Sequence, residues 1–248
     1  MKNVIKSEIY RNFKSWYFKL CFFGGCLFIS VVTIFLPELA NVIEYSMENV
    51  ADLEAALPFI FIGAAIALVA ISPLFTDVFK YNTYKNNPQY LLKLPRAKFV
   101  TIVLFMLAYA VVFMASLTIC TLRLSSGNDL PLNDIISCNV RFIATIPNYI
   151  AIVAFIQLLS VVLGNEIISV VVYYITISQL FTAKLIVNSM VYETFNINSH
   201  LTPLGELFNL GEEDFSVAVI LIGVVIGIIY TVVINKFVMK FYKNRVYA

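Results

Sequence analysis

The sequence predicts an all-α polytopic membrane protein: six transmembrane helices, an amphipathic interfacial helix at the N-terminal end, and both termini in the cytoplasm. Three observations carry that expectation. Of 248 residues, 60% are hydrophobic and 13% charged, with a mean hydropathy of +0.88, which is more apolar surface than a soluble core of this size could hide. The apolar residues gather in six runs of about 20 residues, the length a helix needs to cross the hydrocarbon region. Lysine and arginine concentrate on alternate connections, and that bias sets the direction of each crossing. Spanning segments take up most of the chain, so residues 1–248 read as one membrane domain without a separate soluble catalytic unit.

Residues 1–19 are too polar to cross and carry Lys2, Lys6, Arg11, Lys14 and Lys19. They lack the short apolar core and small-residue site of a cleaved signal peptide. On a helix over residues 1–16, Ile5, Ile9, Phe13 and Trp16 share a face, with Tyr10 and Tyr17 beside them. Asn3, Ser7, Arg11, Lys14 and Ser15 lie opposite. That pattern predicts a helix lying in the membrane surface. The first span is expected over residues 17–36, closed by Pro37, which cannot continue a helix. Residues 37–56 hold Glu38, Glu44, Glu48, Asp52 and Glu54 and no lysine or arginine, so they belong outside. The second span, residues 57–75, carries Gly63, Ala64, Ala67 and Ala70, small groups spaced to admit a neighbouring helix, and Pro73 near its inner end.

Residues 77–98 follow as a basic cytoplasmic segment in which Lys80, Lys85, Lys93, Arg96 and Lys98 face the single acid Asp77. Leu91, Leu92 and Leu94 give it an apolar face just before Pro95, as expected of a short helix on the membrane surface that a soluble partner grips. The third span is expected over residues 99–122, before an outer loop holding Asp129 and Asp134 with Arg123 and Arg141 at its edges. The fourth, residues 142–163, contains Pro147, Asn148, Gln157 and Ser160, and the fifth, residues 167–187, holds Thr176, Ser178, Gln179 and Lys184. Polar groups at such depth are costly in lipid and face a protein interior or a wet cavity. Asn148, Gln157, Gln179 and Lys184 are therefore candidates for lining a path, with contacts between helices the equal alternative. Residues 188–214 form an acidic outer segment. Within it Thr202-Pro203 marks a helix start, predicting a short re-entrant helix at about residues 197–210. The sixth span covers residues 215–237 and is flanked by Lys236, Lys240, Lys243 and Arg245.

In this arrangement fourteen of the seventeen basic residues lie inside, the exceptions being Arg123, Arg141 and Lys184. The chain contains no HExxH and no GxxxxGK[ST], and its lone histidine, His200, falls in the outer segment; neither intramembrane proteolysis nor ATP binding by a P-loop is expected. The four cysteines, Cys21, Cys26, Cys120 and Cys138, lie in or beside apolar runs without a CxxC pair, which predicts packing roles. No cofactor is expected in this chain.

The order of elements resembles the type 2 ATP-binding-cassette permeases, in particular the short six-span members of peptide-export and lantibiotic or bacitracin self-immunity systems of low-GC Gram-positive bacteria. Similarity to the coupling segment of that family rests on Asp77, Thr83, Leu91, Leu92, Leu94, Pro95 and Arg96. Asn82 stands where the family has glycine, and Pro95 abuts Arg96 without an intervening Ile-Ser. The resemblance implies the membrane subunit of an exporter in a bacterial plasma membrane. Two copies of a separate ATPase, which bind the ATP and Mg, would dock on Asp77, Lys80, Thr83, Leu91, Leu92, Leu94, Pro95 and Arg96. A second permease, identical or related, would complete the path, and the expected cargo is a hydrophobic or amphipathic peptide; nucleic acid is not an expected partner. A stand-alone secondary transporter and a non-transporting membrane anchor or assembly subunit are the alternatives.

Overall fold

The computed structural model describes residues 2–38, 88–124, 132–163, 203 and 217–247, and among these there is no strand. Five helices carry the fold: α1 (Lys2–Lys14), α2 (Trp16–Ile34), α3 (Pro88–Leu124), α4 (Leu132–Leu163) and α5 (Val217–Tyr247). By length and composition α3, α4 and α5 are each able to cross a membrane, and α1 with α2 makes a fourth candidate bent by 88°. The described residues are thus all-helical, and their apolar helices give the chain membrane character. The expected second and fifth spans and the outer segment lie outside the described residues.

Ser15 makes the bend. Its backbone is extended (φ −74°, ψ 122°), so α1 stops there, while its hydroxyl accepts a hydrogen bond from the Phe18 amide at 3.3 Å, satisfying one of the open N–H groups at the start of α2. Beyond the bend, Phe13, Phe18, Phe22 and Phe105 pack edge-on and tilted at centroid separations of 4.8 to 6.2 Å, fastening both helices to α3. Edge-to-face geometry of this kind adds to simple area burial. That matters here, because apolar helices in lipid associate through packing and hydrogen bonds, without a hydrophobic drive.

The face that α1 turns inward is Val4, Glu8 and Asn12. This face differs from the apolar side drawn from sequence, Ile5, Ile9, Phe13 and Trp16: Trp16 is 75% exposed, Ile5, Ile9 and Phe13 are half-buried, and Glu8 is buried. Local bonds make Glu8 tolerable there. Arg11 donates to its carboxylate at 2.9 Å and the Asn12 amide to its backbone carbonyl at 3.0 Å.

α3, α4 and α5 run longer than the spans read from sequence. In α3, 37 residues give about 55 Å of helix, against about 30 Å of hydrocarbon. Pro95 lies inside this helix and does not end the segment before it, so residues 88–98 continue the third span. α4 begins at Leu132, enclosing residues assigned above to a loop, and α5 continues to Tyr247. α4 is the middle of the bundle, packed against α3 on one side and α5 on the other. Both α2 and α3 start at the same end of the bundle, to which α4 and α5 return. At that end Val4, Leu94, Ala97, Ala154, Val161, Ile234, Val238 and Tyr242 form one buried cluster.

Candidate functional site

The helix ends gathered around that cluster are basic. Lys2, Lys6, Lys14, Lys93, Arg96, Lys236, Lys240 and Lys243 are exposed there, and among the described residues the one acid at this end, Glu8, is buried and bonded to Arg11. From the same end the first turns of α3 extend beyond the length a bilayer needs. Asp77, Lys80 and Thr83 of the expected docking segment lie outside the described residues, and Leu91 and Leu92 fall in the first two turns of α3. Leu94 is 1% exposed and Pro95 is also buried, so neither offers its side chain to a partner. Lys93 and Arg96 are the groups turned outward. Lys98 is 1% exposed, at the foot of the extension.

Asn148 and Gln157 do not meet on one path. They are nine residues apart, which at about 100° per residue sets them on opposite sides of α4. Gln157 faces α3 and donates from Nε2 to the carbonyl of Pro95 at 3.0 Å; that carbonyl is an acceptor only, so the amide must present its NH2 side. Asn148 faces α5 at Gly227, and among the described residues neither atom of its amide has a hydrogen-bond partner. Both side chains are fully buried. Gln179 and Lys184 lie outside the described residues.

Gly227 allows this closeness. A side chain there would meet the α4 backbone at Pro147 and Asn148, so only glycine lets α4 and α5 touch main chain to main chain. Gly223, one turn earlier, is buried too. The pair is a Gly-x-x-x-Gly motif in an apolar run, a recognised signal for close helix packing, and the reading of the small residues in residues 57–75 overlooked it here. A second close approach joins α2 to α3, where the Tyr109 hydroxyl lies over Gly25 and donates to the Phe22 carbonyl at 2.9 Å. No spacing rule pointed to Tyr109.

At the opposite end, Arg123 closes the last turn of α3 onto that of α2. It donates to the Ile34 carbonyl at 2.5 Å, pairs with Glu38, and stands 5.2 Å from the Phe35 ring centre. This cation is one of the three exceptions to the charge bias, and it acts here as a helix C-terminal cap. Nearby, Asn139 of α4 donates to the Thr118 hydroxyl of α3 at 3.2 Å. Cys120 and Cys138 are buried in the larger apolar cluster, in the packing role their surroundings predicted. Among the described residues no three His, Cys, Asp or Glu side chains come together as a metal site requires.

No family model, no curated protein and no solved structure matches the chain.

Proposed function

We propose that this chain is the membrane subunit of an ATP-driven exporter in a bacterial plasma membrane. A separate ATPase would power it by gripping the segment around residues 77–98. One observation supports the reading above the others: the inner part of that segment is helical, continuous with a spanning helix, and packed at its foot against α1, α4 and α5. A push on such an extension has a rigid route into the bundle, because an α-helix bends only at defined weak points. The exposed Lys93 and Arg96 give the partner a charged surface to recognise, and the basic end would face the cytoplasm under the positive-inside rule.

On this reading two ATPase copies and a second permease complete the assembly, and ATP closure of the ATPase pair shifts the helices between two packings. The cargo class, a hydrophobic or amphipathic peptide, follows from the resemblance described above, which is an argument by analogy. The test is a pull-down of the detergent-solubilised chain from its host. An ATPase with a P-loop should stay bound and be lost from the double variant K93E/R96E, whose charges are reversed on an exposed surface without touching the buried Leu94. A folded preparation that retains no ATPase would overturn the proposal in favour of a stand-alone carrier or an anchor.

A further inference from the structure

The seam between α3 and α4 at the basic end is mainly apolar; Lys98, Thr101 and Ser160 are buried near it, Thr101 and Ser160 bonding carbonyls of their own helices, and Gln157 is the side chain that bonds across it. Leu94 and Ala97 on α3 share a buried cluster with Ala154 and Val161 on α4, and Leu158 packs against it. Gln157 lies within this run and sends its amide to the Pro95 carbonyl. Apolar contacts hold two helices together but are nearly indifferent to sliding, whereas a single buried polar contact selects one register. The amide is 0% exposed, and among the described residues its Oε1 has no hydrogen-bond partner and the Pro95 carbonyl is the one group that orients it. Breaking that bond in an apolar seam would leave both ends of the amide unsatisfied, which is costly where no water competes.

The acceptor lies at the weak point of α3. Proline has no N–H, so the carbonyl one turn before Pro95 loses its helical donor, and the preceding turns attach to the rest of the helix by one hydrogen bond fewer. Helices kink at such places. Without a tie from outside, a push on the first turns of α3 would be spent in bending at Pro95.

We infer that Gln157 is a positioning residue which locks the register of α4 to the Pro95 turn of α3 and thereby keeps Leu94, the residue before the proline, seated against Ala154 and Val161 of α4, so that the extension and α4 move as one body. The inference rests on the exporter reading for the source of the movement. From α4 the displacement passes to α5, because the contact of Gly227 with the α4 backbone leaves no slack between those helices.

The test uses the full-length chain, with its four native cysteines replaced by alanine and spin labels at Lys93→Cys and Val162→Cys, both exposed positions. In nanodiscs the labelled chain should give a single narrow distance. Gln157→Leu keeps the volume and removes the donor, and should at least double the width of that distribution. Ser160→Ala, a buried change on the same helix that removes only a bond to its own Ile156 carbonyl, should leave the width unchanged. A Gln157→Leu distribution as narrow as the parent's, or equal broadening by Ser160→Ala, overturns the lock. In complex with the co-purified ATPase, trapping with ADP and vanadate should leave the parent distance unchanged and shift it by several ångströms in Gln157→Leu. A parent distance that changes as much as the variant's ends the transmission claim while leaving the exporter reading intact. If no ATPase co-purifies, the exporter reading fails and takes the transmission claim with it, while the width comparison still decides the lock.

Discussion

A methyl group placed on Gly227 would sit 2.6 Å from the carbonyl carbon of Pro147 and 2.8 Å from the amide nitrogen of Asn148. Both are main-chain atoms, so relief requires moving a whole helix. Gly25 differs in kind, because the atom in its way is the end of the Tyr109 side chain. Gly24, its neighbour, has nothing within 4 Å. Three alanine substitutions in one protein should therefore separate by cause. Gly227→Ala should destabilise by about 1–3 kcal/mol, the range for forced overpacking. Gly25→Ala should cost less, through loss of the hydroxyl bond to the Phe22 carbonyl, and Gly24→Ala should be neutral or stabilise by up to about 1 kcal/mol through better helix propensity. Unfolding of the purified protein in graded denaturing detergent measures all three; equal effects at Gly24 and Gly227 would refute the close contact. The Gly223–Gly227 spacing was legible in the sequence. The role of Gly25 was not, because it depends on a tyrosine 84 positions away whose proximity only the fold creates.

Among the helices, α2 is the one whose described end depends on a partner's side chain. Its C-terminal carbonyls would otherwise lack donors, and Arg123 of α3 supplies one at Ile34 while pairing with Glu38. Both members of the pair are well exposed, so the ion pair itself is worth little. The carbonyl bond and the ring contact with Phe35 carry more of the effect. Arg123→Leu should destabilise by about 1 kcal/mol on these grounds, and should speed hydrogen exchange of the backbone in residues 32–38 without affecting residues 18–24. Unchanged exchange at residues 32–38 would remove Arg123 as a cap. The existence of α2, α3, α4 and α5 was evident from hydropathy alone. Their extent was not: apolar periodicity stops where the membrane stops, whereas a helix with good formers continues through Pro88–Leu94 and again through Lys236–Tyr247. Inside α1 the buried polar face was not legible, because Arg11 bonds the Glu8 carboxylate and Asn12 the Glu8 carbonyl within the helix, which lets polar groups take it.

For the whole molecule, the described helices place their cations at one end, apart from Arg123 and Arg141, and Glu38 and Asp134 at the other. The function proposed above, together with the positive-inside rule, puts the basic end on the cytoplasmic side as a prediction. Single cysteines at Lys6 and Lys240, in a background free of native cysteines, should react with a membrane-impermeant maleimide only after cells are opened, and one at Asp134 should react in intact cells. The reverse pattern would invert the molecule. Charge by connection was readable directly from the sequence. The pairing of helices was not, since a run of Val, Ile and Phe carries no address for its neighbour. Gln157 and Asn148 were visible as costly polar groups in a span, but their division between α3 and α5 depends on which helices flank α4.

The cluster at the basic end joins Val4, near the start of the chain, to Val238 and Tyr242, in the last described helix. Those residues come from helices far apart in the sequence, so the cluster closes only when α1, α3, α4 and α5 are all in place. Until α5 has been inserted, Val4, Leu94, Ala97, Ala154 and Val161 await the side chains that complete their packing, and Asn148 awaits Gly227. A chain truncated before α5 would leave that seam open on α4, and should be degraded faster in cells than the intact chain.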